Sequence, residues 1–206
     1  SPATTTATTA TTATATAAAA TGDVSGTWTV DTSIGEFSYE ESTGTFVGFR
    51  VEEELQGLGS VTAVGRTPTV SGTLAIDGTT VTAVSIEADM SAVTTNDGRR
   101  DDKVLSALET DTFPTGTFVL TEPIELGDAA TTGVAVSVDA VGELTIHGVT
   151  LPVTFPLTAQ LVSDTIVVVG QVDVVFADYG VELPTAPIVL SLDDNGIIEL
   201  QLFFTR

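Results

Sequence analysis

Residues 134–161 carry two long runs of strict alternation separated by a single His-Gly pair. In the first run Val134, Val136, Val138, Ala140, Gly142, Leu144 and Ile146 share one face. In the second Val149, Leu151, Val153, Phe155, Leu157, Ala159 and Leu161 do the same, with Thr150, Thr154, Thr158 and Gln160 opposite. Side chains on a strand point alternately to its two faces, so the pattern predicts a wide antiparallel hairpin, apolar on one side and wet on the other. Strands this long and this one-sided suit a closed barrel or a strongly curved sheet. A small barrel is either filled by its own side chains or holds one ligand.

Similar alternation runs through the rest of the chain. Trp28 and Val30 mark a first strand, and Gly35 to Glu40 reads as a short second one. Val47, Phe49 and Val51 alternate with Gly48, Arg50 and Glu52 between Thr45 and Leu55. Thr69 to Ile76 and Thr80 to Met90 form a pair turned at Asp77-Gly78, a two-residue hairpin signal of the type I′ kind. Period two stops near Gly98, and residues 98–109 read as one short helix with Val104, Leu105 and Leu108 on its apolar stripe. Strands resume at Thr117 to Glu122, and after the long hairpin at Thr165 to Phe176. Pro184 and Pro187 bracket a loop; Ile188 to Leu192 and Ile197 to Phe204 finish the chain, turned at Asp194-Asn195-Gly196. Roughly ten strands, one helix and hairpin connections throughout predict an all-β, extended antiparallel up-and-down barrel of lipocalin-like form.

Residues 1–21 are almost all Thr and Ala without periodicity and predict a disordered tether, leaving 22–206 as one barrel domain. Such a tract has a root-mean-square reach of roughly 25 Å. It reads as the spacer that follows a removed export signal or a lipid-anchor site, which predicts an exported protein, extracellular or in the cell envelope. With 28 acidic residues against 6 basic ones, the net charge of −22 repels nucleic acid and anionic membrane surfaces. No run of about 18 apolar residues predicts a transmembrane helix. The chain has no Cys, which removes thiol chemistry and thiolate metal sites.

Motifs for catalysis are missing. His147 is the single histidine, and a position in Ile146-His147-Gly148-Val149 suits a hairpin turn better than a metal site or a triad. Carboxylate runs such as Glu52-Glu53-Glu54, Asp101-Asp102 and Asp193-Asp194 read as surface charge and turns. No phosphate-binding Gly-rich loop and no Gly-x-Ser-x-Gly elbow occurs. The expectation is no catalytic residue, no metal and no cofactor. Gly142 and Gly170, with Ala88, Ala140 and Ala159, would leave empty volume along an aliphatic wall, a setting for an apolar chain.

The assembled segments resemble the YceI family of bacterial polyisoprenoid-binding, lipocalin-like barrels. The likeness is carried by Val84-Ser85-Ile86-Glu87-Ala88-Asp89-Met90, Arg100-Asp101 with Leu105, Phe113-Pro114 and Thr117-Phe118. It continues through Gly142-Glu143-Leu144-Thr145-Ile146-His147-Gly148-Val149-Thr150-Leu151-Pro152-Val153, the most specific run, and Phe176-Ala177-Asp178-Tyr179-Gly180-Val181. Gly26 to Asp31 resembles the family's first strand. The resemblance implies a long apolar pocket holding a polyisoprenoid, an isoprenoid quinone or a fatty-acid-like lipid, in an exported protein. The family often carries a His-Ser pair near the second strand and a His after the Arg-Asp pair. Here those regions read Asp31-Thr32-Ser33-Ile34-Gly35-Glu36 and Asp102-Lys103.

Three functions follow for testing. The first is a non-enzymatic carrier or store for an isoprenoid or other long lipid. Its lining would be Val84, Ile86, Phe118, Val136, Val138 and Val153, with Phe155, Val172, Val174, Phe176, Leu202 and Phe204. The second is a ligand-free cell-surface interaction or signalling module, and the third an isoprenoid- or quinone-processing enzyme. An uncovered apolar sheet face would add a homodimer.

Overall fold

The computed structural model describes residues 22–39, 42–184 and 189–206. The proposed tether at 1–21 lies outside them, as do Glu40, Pro187 and Ile188 from the segments named above. In chain order the strands are β1 (Gly26–Val30), β2 (Phe46–Leu55), β3 (Gly59–Thr67), β4 (Val70–Asp77), β5 (Thr80–Asp89) and β6 (Thr94–Thr95). Helix α1 (Asp101–Ala107) follows, then β7 (Thr115–Leu120), β8 (Ile124–Glu125), β9 (Val136–Ile146) and β10 (Val149–Val162). The chain ends with β11 (Thr165–Val175), β12 (Val189–Leu192) and β13 (Asn195–Thr205).

Eight of these strands, in the order β1-β4-β5-β7-β9-β10-β11-β13, form an antiparallel ring. It closes where Val30 pairs with Phe204 and Thr29 with Thr205. The ring is an up-and-down meander whose off-ring strands are β2 and β3 between β1 and β4, β6 between β5 and β7, β8 between β7 and β9, and β12 between β11 and β13. Strand β2 pairs with β13 from Ile197↔Arg50 to Gln201↔Phe46, so β1 and β2 share one edge of the last strand. Strand β3 continues the sheet from β2, and β6 pairs with β3. The barrel is therefore taller on the side of β2 and β3.

Local chemistry explains most element ends. Ile146 pairs with Val149 across His147-Gly148, both at positive φ (52° and 73°), which is the requirement of a type I′ turn. The β4–β5 hairpin differs from its expected form. Asp77 pairs with Thr80, so the loop is Gly78-Thr79, and positive φ is confined to Gly78, the pattern of type II′. Helix α1 is shorter than its expected 98–109; Asp101 opens it, its carboxylate accepting from Thr95 N (2.8 Å) and Thr95 Oγ1 (2.7 Å).

Other differences have physical causes. Described residues 35–39 are not a strand: Gly35 turns at φ 75°, and Glu36 O accepts from the amides of Thr43 and Gly44 at 3.1 Å, folding the segment into a loop. That loop packs on the outer face of β2, β3 and β13. There buried Arg66 holds Glu199 (Nε–Oε1 2.7 Å), donates to Ser38 O (3.2 Å) and stacks 4.2 Å over Phe46. Strand β12 does not form a hairpin with β13 but pairs with β2, so both lie along one edge of β2, interrupted at Asp193–Asp194. Strands β3, β6 and β8 bring the number among the described residues to thirteen.

Candidate functional site

The inward faces of the ring follow the alternation. On β9, Ala140, Leu144 and Ile146 are buried; on β10, Phe155 and Leu161; on β11, Ile166, Val168 and Val174. Outward neighbours such as Ser137, Asp139 and Glu143 are exposed. Strand β9 alone, with a rise of about 3.3 Å per residue and a tilt near 40°, implies an interior roughly 25 Å deep.

Three spaces follow one another inside. The lower chamber, about 100 Å³, is walled by residues including Val84, Val136, Val138, Leu157, Leu202 and Phe204. Val24, Ile124, Leu126 and Ala130 of the 3₁₀ turn Gly127–Thr131 line its far end. The middle chamber, about 80 Å³, shares Ile86, Phe118, Phe155 and Leu200 with the lower one. The rings of Phe118 and Phe155 meet edge to face at 6.2 Å and form a partition between the two. Phe49 lines both the middle chamber and a wider rim chamber of about 530 Å³ beside α1, with Val51, Val104, Leu108 and Phe176.

The glycines of the wall are occupied rather than empty, contrary to expectation. A Cβ on Gly142 would strike the Phe118 ring (2.6 Å to Cζ) and Val119 O (2.5 Å). One on Gly170 would meet Leu157 and Pro156 O; one on Gly65 would enter the ring of Phe49. Each glycine is a seat for an inward side chain, as when an aromatic ring covers a glycine on a neighbouring strand.

Of the expected lining, Val84, Ile86, Phe118, Val136, Val138 and Phe155 stand on the lower chamber, as do Leu202 and Phe204. Phe176 stands on the rim chamber. Val153, Val172 and Val174 line none of the three; they pack in the apolar cluster that includes Leu144, Ile146, Phe176 and Tyr179. The cluster fills the barrel at their level, so inward direction alone did not place them on a space.

The rim carries buried charge where the run Glu52-Glu53-Glu54 predicts surface charge. Glu53 continues the inward series of Val47, Phe49 and Val51, is 5% exposed, and pairs with Arg100 Nη2. Arg100 also donates to Asn96 Oδ1 at 2.8 Å. Arg99 grips Asp97 through two bonds of 3.0 and 2.8 Å, and this guanidinium, with the Arg99 amide, lowers the Asp97 pKa to about 2. Lys103 lines the same chamber and is exposed.

His147 lies elsewhere, outside the three chambers. Its Nδ1 sits 3.2 Å from Tyr179 O, its Nε2 3.5 Å from Glu109 Oε2, and its ring packs edge to face on Phe113 at 4.7 Å. No hydroxyl nucleophile adjoins it in these contacts. Among the described residues no group of three or more His, Asp or Glu is placed to hold a metal, and no helix is long and apolar enough to cross a membrane.

The model of the YceI-like domain matches residues 28–204, nearly the whole of this ring and its rim. The chain belongs to the YceI-like family. No curated protein sequence matches it. Among solved structures it is similar to a polyisoprenoid binding domain from Saccharophagus degradans implicated in plant cell wall breakdown. That likeness has a TM-score of 0.64 and 19% identity, covering 87% of this chain and 97% of the other. Burkholderia cenocepacia BcnA gives a TM-score of 0.61 at 19% identity, over 77% of this chain and 95% of that one. The Campylobacter jejuni YCEI protein gives 0.54 at 16%, over 68% and 82%. At such identities the likeness establishes the shared YceI barrel. Its specific chemistry must come from the chambers and rim of this chain.

Proposed function

We propose that this YceI-like barrel binds a long-chain isoprenoid or other amphiphilic lipid and carries or stores it without chemically changing it. The observation that carries the reading is the run of apolar spaces in series from the lower chamber to the rim, joined at shared phenylalanines. Each Å² of lipid moved from water onto those walls contributes about 25 cal/mol. The similarity to a polyisoprenoid binding domain supports an isoprenoid as the first ligand to test. Isoprenoid quinones and fatty-acid-like lipids present the same apolar chain. No cofactor is required by this role.

The lower and middle chambers, about 100 and 80 Å³, favour a second reading, a barrel filled by its own side chains that acts as a surface interaction module. Under the first reading Phe118 and Phe155 swing aside as a chain enters. Organic extraction of the purified protein with mass analysis, followed by titration of a delipidated sample with geranylgeraniol, separates the two. A co-purifying or titratable prenyl chain supports the carrier; a dry barrel that refuses the chain supports the module. We place the protein outside the cytoplasm, in the envelope or medium, tethered through the Thr/Ala tract at 1–21. Fractionation of cells producing the full chain tests that placement.

A further inference from the structure

We infer that the lipid's head group is anionic, a carboxylate or phosphate, and that it sits at the rim chamber against Lys103. This rests on the lipid-binding reading and adds the charge and direction of the ligand.

The chain has six basic residues, and three of them, Arg99, Arg100 and Lys103, line this one chamber. All three come from the one segment that opens α1, which places half of the chain's Lys and Arg at this end of the barrel in a protein of net charge −22. Two acids, Glu53 and Asp97, line it too, and each already holds an arginine: Glu53 holds Arg100 and Asp97 holds Arg99. Lys103 is the third cation, and among the described residues it has no ion pair in its own chain. Asp101 is turned to Thr95, while Asp102, Glu109 and Glu182 line the groove on the other flank of α1, which Lys103 also borders without an ion pair to any of them. With Glu53 and Asp97 each facing an arginine, one anionic oxygen group at the rim supplies the counter-charge of the third cation.

Apolar surface continues directly below that position. Phe49, Val51, Val104, Leu108 and Phe176 line the same chamber, and Phe49 leads to the middle one. Among the described residues the opposite end of the interior has no ionisable lining; Gln160 is its polar member, and its amide donates to Gly133 O at 3.0 Å. An amphiphile entering tail first therefore leaves its head among the rim charges and sends its chain toward Ile124 and Leu126.

The test uses three ligands sharing one chain: oleate, oleyl phosphate and oleyl alcohol. They are titrated into the delipidated full chain and into Lys103→Gln at about 0.15 M salt, where a Debye length near 8 Å screens the distant acidic surface but not a contact pair. At least one anion binds the native chain about three- to fivefold tighter than the alcohol, the range of an exposed ion pair. In Lys103→Gln that ratio falls to about one. Whether oleate or oleyl phosphate gains more separates a carboxylate from a phosphate head. Equal binding of anion and alcohol by the native chain overturns the head-group inference and leaves lipid binding standing. A preference that survives Lys103→Gln overturns the assignment of the site. If none of the three binds while geranylgeraniol does, the head-group inference is overturned; if geranylgeraniol fails as well, the lipid reading itself fails and takes the inference with it.

Discussion

Replacing Phe118 by alanine tests whether the partition between the lower and middle chambers lies on the lipid's path. The ring sits on Gly142, meets Phe155 at 6.2 Å, and borders both spaces. Phe→Ala changes in a core cost about 3–5 kcal/mol, and a half-buried ring belongs at the low end, about 3 kcal/mol, including about 1 kcal/mol for the aromatic pair. For a domain of this size that lowers Tm by roughly 6–12 °C. Removing the ring also joins the two spaces. A hydrocarbon chain lying where the ring stood hides on the order of 60 Å² more apolar surface, about 1.5 kcal/mol, or roughly tenfold in affinity. Trp28, the single tryptophan and 3% exposed, reports unfolding by its emission. Denaturation of the delipidated variant, with and without saturating geranylgeraniol, and a direct titration give both quantities. The expected result is a less stable empty protein that binds more tightly and regains part of its lost stability with ligand. Unchanged or weaker binding, with the same stability deficit in both conditions, would refute a path through the partition.

Other outcomes follow from single contacts. Glu53→Gln leaves Arg100 mostly buried beside Asn96 and without its carboxylate, and should cost about 2–4 kcal/mol in denaturant; the double change to methionine at both positions recovers most of it. Gly116→Ala should gain about 0.5–1 kcal/mol through the unfolded chain, since its Cβ meets chiefly the flexible Met90 sulfur at 3.1 Å, and thermal melts will read it. Asp97, held down from the ordinary 3.8 to about 2, contributes stability that is present above about pH 4 and lost as pH falls through 2. Carboxyl carbon shifts should show that low midpoint, and Arg99→Gln should raise it toward 3.8. His147→Val forces a β-branched residue to φ 52° and should cost about 1–2 kcal/mol, whereas Asn at that position should cost less in the same melts.

Alternation made the inward faces of β5, β9, β10 and β11 legible, because one buried face imposes period two on long strands. Strand β3 was not legible. Its inward positions are Val61, Ala63, Gly65 and Thr67, too small and mixed to announce a core face. The two-residue strands β6 and β8 are below any periodic signal. Glu53 was masked by its neighbours Glu52 and Glu54, although it keeps step with Val47, Phe49 and Val51. Its partner Arg100 lies 47 residues away, so only the fold brings the rim together. The ring-on-glycine contacts were equally invisible, since Gly142 and Phe118 belong to different strands.

Strand β13 touches β11, β1 and β2, and the pair that shuts the ring joins Thr29 to Thr205. The ring therefore cannot close until Phe204 and Thr205, at the far end of the sequence from β1, are free to pair with it. Loss of residues 204–205 removes both of β1's partners on β13 and opens the seam. Until that pairing forms, the apolar wall lies open lengthwise.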